Sequence, residues 1–284
     1  MDKQGIIIKG VGGAYTVVAG EEQYICNARG VFRNRNTTPL IGDNVVINVT
    51  DQEKKLGTLH TINPRKNQLR RPPIANIDQV IITVATAQPA FNAGLLDRFL
   101  VLVAYENIPV LICVNKSDIA HDTSFQPYIN AGYPLVYTSA TGQDGLDQLR
   151  KHMAGKVNVF AGPSGVGKSS LINALSPKLD LITGGLSVKL GRGKHTTRHS
   201  EIFKLEGCDD GFCVDTPGFT SLDIAAIPKG ELGALFKEFE PHISACKFSD
   251  CLHNKERDCA VKDAVGRGIS ADRYESYLKM LLVE

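Results

Sequence analysis

The chain has 284 residues, 43% of them hydrophobic and 22% charged, with a formal net charge of +2. That length exceeds the roughly 100–200 residues of one ordinary domain and predicts two or three compact units. No apolar run approaches the ~20 residues that cross a bilayer, which excludes a helical membrane protein, while a net charge so near zero selects no class of partner.

The apolar patch at the start of the chain, Ile6 to Ile8, lies between Lys3 and Lys9 and is too short for a secretory signal, so a cytoplasmic protein is expected. The charge is unevenly spread. Met1 to Ala75 carries eleven Lys plus Arg against six Asp plus Glu, whereas Asn76 to Glu240 carries fourteen against seventeen. Within the basic front end, Gly5–Lys9, Tyr15–Ala19, Gln23–Asn27, Asn44–Val49 and Gly57–Ile62 read as short strands separated by turn residues, with no helical period between them. This pattern predicts a small β-barrel over residues 1–66, of the OB type or the SH3-like type, with Arg29, Arg33, Arg35, Arg65, Arg70 and Arg71 as candidates for an RNA phosphate face.

From Asp78 the pattern changes to apolar runs alternating with helical stretches, the signature of βα units on a mainly parallel sheet. Gln79–Thr86 and Val110–Asn115 read as buried strands, and Leu95–Asn107 has the spacing of an amphipathic helix. The second strand ends in Asn115-Lys116-Ser117-Asp118, and a later one ends in Thr138-Ser139-Ala140. An aspartate at the fourth position of such a loop can accept from both the N1–H and the exocyclic amine of guanine. Adenine would leave that carboxylate unpaired, a mismatch on the scale of ~10⁴-fold discrimination. Asn115 would brace the loop, Lys116 would lie along the base, and Ser139 and Ala140 would complete the base site.

Val157–Ala161 is a further strand, followed by Gly162-Pro163-Ser164-Gly165-Val166-Gly167-Lys168-Ser169-Ser170 and a helix over Ser169–Leu175. The G-x-x-x-x-G-K-S spacing is that of a phosphate-binding loop. Its glycines let backbone N–H groups face a pyrophosphate, Lys168 would reach the β and γ phosphates, and the Ser169 hydroxyl would ligate Mg²⁺. Next comes a polar, basic stretch from Gly191 to His199, read as a switch loop in which Thr196 or Thr197 would meet Mg²⁺. The strand Gly211–Asp215 then leads into Asp215-Thr216-Pro217-Gly218, where Asp215 would hold Mg²⁺ and the Gly218 N–H would contact the γ-phosphate. Many GTPases place a water-orienting glutamine just after this turn, where this chain has Phe219. His195 in the switch loop is the candidate substitute, and a solvated histidine with no catalytic task is the competing reading.

After Pro228 the chain reads as helical and strandless. Cys246, Cys251, His253 and Cys259 form C-x₄-C-x-H-x₅-C, a complete tetrahedral donor set for one structural Zn²⁺ with no position open for catalysis. His242 is a rival ligand, disfavoured by its distance in sequence. The other cysteines, Cys26, Cys113, Cys208 and Cys213, sit in apolar contexts and read as small buried hydrophobes.

In an ordinary small GTPase the phosphate motifs precede the base-reading ones, whereas here NKSD and TSA come first. The order is circularly permuted, with Leu146–Lys156 joining what would otherwise be the last helix to the first strand. With this motif set, the sequence resembles the ribosome-small-subunit-dependent GTPase A (RsgA) family over essentially its whole length. The resemblance implies a multi-domain protein: an OB-like β-barrel (1–66), a central permuted α/β P-loop GTPase domain (67–222) and a mainly helical zinc module (223–284). It also implies GTP hydrolysis stimulated by the small (30S) ribosomal subunit, binding to its 16S rRNA, and a role late in maturation of that subunit. A monomer is expected. The competing function is an RNA-binding assembly factor for which GTP only sets affinity.

Overall fold

The computed structural model describes residues 1–28, 38–70, 73–119, 125–179, 201–208, 211–215 and 224–283. The front end is five strands: β1 (Asp2–Val11), β2 (Ala14–Ala19), β3 (Glu22–Ala28), β4 (Asn44–Asp51) and β5 (Leu56–Ile62). They run in the order β1-β2-β3-β5-β4, and β4 pairs back onto β1, which closes a barrel. All contacts round the barrel are antiparallel except β3 with β5. This is the five-stranded OB arrangement, which decides between the two barrel types left open by the strand pattern. Alternate residues point inward, and Ile7, Val17, Tyr24, Cys26, Val45, Ile47 and Leu59 make a closed core.

A short hairpin, β6 (Gln68–Arg70) with β7 (Pro73–Ala75), leads into the second unit. Its strands are β8 (Gln79–Ala85), β9 (Val110–Asn115), β10 (Leu135–Tyr137), β11 (Val157–Ala161), β12 (Glu201–Lys204) and β13 (Phe212–Asp215), in the spatial order β10-β9-β8-β11-β13-β12. All are parallel except β12, an antiparallel strand that the apolar pattern does not reveal because two of its four residues, Glu201 and Lys204, are charged. Every residue of β8, β9 and β11 is buried, which accounts for their largely apolar composition: helices cover both faces.

On one face lies α1 (Ala93–Tyr105), whose Leu96, Phe99, Leu100 and Val103 pack on Val80, Ile82 and Val84. The helix starts two residues before its apolar spacing does, because the Asn92 side chain accepts from the Leu95 N–H at 2.9 Å and caps the first turn. The short α2 (Gln126–Asn130) packs Tyr128 into the same core. On the other face α3 (Leu146–Met153) and α4 (Lys168–Leu175) set Leu149, Met153, Leu171 and Leu175 against Ile81, Leu111 and Cys113.

The joint between α3 and β11 is the seam of the permuted order, and a buried asparagine closes it. Asn158 Nδ2 donates to the carbonyls of Met153, Lys156 and Phe212, and Asn158 Oδ1 accepts from Gln79. Barrel and second unit share one sheet through β1 and β12, paired at Lys9 and Glu201, whose side chains form an ion pair at 2.7 Å.

The rest is helical, with α5 (Lys229–Leu232), α6 (Glu240–Ile243), α7 (Ala260–Asp263) and α8 (Ala271–Leu281) around Phe236, Phe239, Val261, Ile269 and Tyr277. That core takes in Val101 of α1, so the C-terminal module is packed onto the central one. Among the described residues no helix is long and apolar enough to cross a membrane.

Candidate nucleotide site and metal centre

Strand order reverses between β8 and β11: the chain steps outward to β9 and β10 on one side, and to β13 and β12 on the other. Crevices of parallel sheets form beyond the carboxyl ends of strands at such a switch point. The loops after β8, β9, β10 and β11 all leave that end.

The glycine-rich loop after β11 has the backbone its composition calls for. Gly162, Gly165 and Gly167 have φ of +131°, +82° and +94°. At Gly162 a Cβ would lie 2.1 Å from the carbonyl oxygen of Thr83 on β8, so only glycine allows β11 to turn this close to its neighbour. Pro163 is half-buried, Ser164 and Gly165 are exposed, and Val166 is buried, anchoring the middle of the loop. Lys168 opens α4 and its ammonium donates to the carbonyls of Gly162 (2.8 Å) and Pro163 (2.7 Å). Burial holds it below its ordinary range. Ser169 and Ser170 follow on the first turn, half-buried.

The Asn115–Asp118 loop is hydrogen-bonded to this one. Asn115, 1% exposed, donates from Nδ2 to Val166 O at 2.8 Å, and Lys116 Nζ donates to Gly165 O at 2.9 Å and to Gln88 O. Thr138, buried, brings the loop after β10 alongside: its hydroxyl donates to Asn115 Oδ1 at 3.3 Å and its carbonyl accepts from the Ser117 N–H at 3.1 Å. Ser139 Oγ accepts from the Gly142 N–H at 2.8 Å, and Ala140 packs against the α3–α4 core. Asp118 is exposed, and hydrogen bonding from Ser139 above all, helped by Thr141 and the Lys116 charge, holds its carboxyl below the usual aspartate range. The geometry is an open, ionised carboxylate on a loop locked to a phosphate-type turn.

Thr86 and Gln88, just past β8, also touch this loop and carry no motif that a sequence reading could find. Of the expected Mg²⁺ ligands, Ser169 lies in the described region; Thr197 and the Asp215 side chain do not, nor do His195, Thr196, Gly218 and Phe219. Arg29, Arg33, Arg35, Arg71 and the Arg70 side chain are likewise outside it. Arg65 is described and has another task. Its Nε and Nη2 clamp the fully buried Asp43 at 2.7 and 2.9 Å, while Nη1 and Nη2 reach Gln68 and the Thr38 carbonyl. A bidentate pair of this kind leaves little of the guanidinium for a phosphate, so Arg65 belongs to the structure of the barrel rather than to a binding face.

In the C-terminal module the donor atoms of Cys246, Cys251, His253 and Cys259 lie within 4.8 Å of one another. Cys246 Sγ is 3.9 Å from Cys259 Sγ and 3.6 Å from His253 Nδ1, and Cys259 Sγ is 3.5 Å from that nitrogen. Metal–sulfur bonds of about 2.3 Å and metal–nitrogen bonds of about 2.0 Å in a tetrahedron put neighbouring donors roughly 3.5–3.8 Å apart, so the cluster fits zinc. Burial holds the His253 imidazole below its ordinary range and so keeps it neutral, the ligating form. The ring lies close to Gly233, where a Cβ would come within 2.9 Å of it. His242 is outside the cluster.

Comparison with known proteins gives one consistent answer. The family model for the RsgA GTPase matches residues 62–225, and that for the RsgA N-terminal domain matches residues 4–57. The small ribosomal subunit biogenesis GTPase RsgA of Alkaliphilus metalliredigens is 46% identical over 98% of this chain and 96% of its own, and that of Bacillus velezensis 45% over the same shares. Among solved structures, YjeQ from Thermotoga maritima superposes with a TM-score of 0.85 at 36% identity, covering 99% of this chain and 98% of its own. YloQ, described as a circularly permuted GTPase, superposes at 0.82 with 39% identity, covering 99% and 94%.

Proposed function

The chain belongs to the RsgA GTPase family and hydrolyses GTP, and we propose that it does so in biogenesis of the small ribosomal subunit, late in maturation, as a Mg²⁺-dependent switch that the subunit itself turns on. The observation carrying the nucleotide assignment is the bond from Asn115 to Val166, which fastens the base-type loop to the phosphate-type loop at the switch point of the sheet. In this reading Asp118 reads guanine N1–H and the exocyclic amine, with Lys116, Ser117, Ser139 and Ala140 around the base. Gly162 to Ser170 cradle the phosphates, with Gly218 at the γ-phosphate.

Ser169, Asp215 and Thr197 would hold Mg²⁺, which would supply positive charge against the negative charge that develops on the phosphates. Water attacks the γ-phosphorus, the bond to the β–γ bridging oxygen breaks, and GDP and phosphate leave. His195 is proposed to orient that water, since Phe219 cannot. Zinc on Cys246, Cys251, His253 and Cys259 would staple the short segment that carries these four donors.

The same reading divides the chain at residues 66 and 222 and gives the basic barrel the task of binding 16S rRNA. It takes the protein to be a monomer in the cytoplasm. Hydrolysis assays with and without purified small subunits test it. A rate raised by orders of magnitude is expected; unchanged turnover, with subunit affinity still set by GTP, would favour an assembly factor in which hydrolysis is incidental.

A further inference from the structure

The peptide unit joining Lys116 to Ser117 is held at both ends by residues that directly follow other strands. Its carbonyl oxygen accepts from the Thr86 hydroxyl at 2.7 Å, and its N–H donates to Thr138 O at 3.1 Å. The Ile119 N–H shares the same carbonyl at 3.0 Å, which makes the tight turn that contains Asp118.

Lys116 has φ of +62°, a left-handed conformation that costs a non-glycine residue free energy and persists only where its surroundings impose it. The payoff is visible in the same residue: from this backbone its ammonium reaches Gly165 and Gln88. Thr86 is well placed to impose it. It follows β8 immediately, and its own N–H donates to Asn115 O at 3.2 Å, which continues the β8–β9 pairing one residue past the strand and anchors the backbone that carries the hydroxyl.

We propose that Thr86 is a positioning residue for base recognition: by fixing the plane of the Lys116–Ser117 peptide it sets the direction in which the Asp118 carboxylate meets the purine. The inference rests on the reading of Asp118 as the guanine reader. Threonine to valine is the cleanest probe, since it keeps the shape and removes the hydroxyl.

The experiment measures equilibrium binding of GDP and IDP to the full chain. Inosine lacks the exocyclic amine, so IDP has only one of the two hydrogen bonds that a correctly aimed Asp118 makes. Thr86→Val should weaken GDP by about three- to tenfold, the range expected for losing one positioned hydrogen bond, and weaken IDP less, so that the GDP-over-IDP preference narrows. Thr86→Ser should restore both affinity and preference. A general loss of packing predicts something else: a lower Tm with GDP and IDP affected alike, which would overturn the proposal. Asp118→Asn in the otherwise unaltered chain separates the two layers. If it fails to shift preference toward xanthine nucleotide, the base-reader assignment is wrong. If it succeeds while Thr86→Val keeps the GDP-over-IDP ratio, only the role given to Thr86 fails.

Discussion

Asn115 and Gly167 are in contact across the site: a Cβ on Gly167 would fall 2.3 Å from Asn115 Nδ2, the atom that donates to Val166. The glycine therefore serves two purposes, the left-handed turn into α4 and room for the brace. Gly167→Ala must displace Asn115 as well as strain a backbone at φ of +94°, and a stability loss of about 1–3 kcal/mol is expected together with weakened GDP binding. Denaturant unfolding and a GDP titration check it; unaltered values for both would mean the loop relaxes freely and the brace has no importance.

The Cys₃His cluster should hold one zinc per chain, detectable by elemental analysis of the purified protein. Cys251→Ala should release the metal and loosen the segment around Cys246 to Cys259, seen as faster amide exchange there, while GDP affinity in the central unit is retained. Protein free of zinc yet fully protected in this segment would reject the site.

Arg273 of α8 is 2% exposed and joins Glu238 of its own module to Asp97 of α1, whose side chain is fully buried. Its guanidinium also lies 4.9 Å from the Phe236 ring centre and 5.1 Å from that of Tyr128. Removing the cation strands two buried carboxylates, so Arg273→Ala should cost about 3–5 kcal/mol, whereas replacing all three charges by apolar residues of similar volume should cost much less. Chemical denaturation of the two variants makes the comparison. Equal losses would show that packing of the arginine stem, and not its charge, holds the module in place.

Burial keeps the Lys168 ammonium below its ordinary 10.5. A lysine whose folded pKa is below its unfolded one opposes folding while charged; the penalty is full below the folded pKa and fades as pH rises through the unfolded value. Phosphate oxygens act in the opposite direction and favour the charged form. GDP should therefore raise the Lys168 midpoint, and binding should take up protons in the alkaline window between the two midpoints. NMR titration of lysine labelled with ¹³C at the ε position reads this directly, and a midpoint indifferent to GDP would mean that the ammonium does not meet the phosphates.

His195→Ala should remove most of the subunit-stimulated rate and leave GDP affinity nearly unchanged. Losing a water-orienting group typically costs ~10²–10⁴ in turnover, while losing a binding contact mainly raises KM. A stimulated kcat within a few-fold of the parent protein would transfer the role to a group supplied by the ribosome.

What the sequence determined by itself was everything written in neighbouring residues. The glycine spacing of Gly162 to Gly167 specifies a turn, the largely apolar run of β8 specifies a strand covered on both faces, and Cys246 to Cys259 carry four donors within fourteen positions. These follow from backbone sterics and ligand chemistry that act over a few bonds. The tertiary structure alone decided which strands meet. Closure of β4 onto β1 made the barrel an OB type, and the four-residue β12 became the edge that joins barrel to sheet at Lys9 and Glu201. It also turned Arg65 inward onto Asp43 and brought the Thr86 hydroxyl onto Lys116 O. Each of these is a pairing between residues 20 or more positions apart, and no local period records it. Such contacts form because burying the shared core brings the partners together, and a buried polar group such as Asp43 or Asn115 must then be satisfied by whatever donor or acceptor the fold delivers to it.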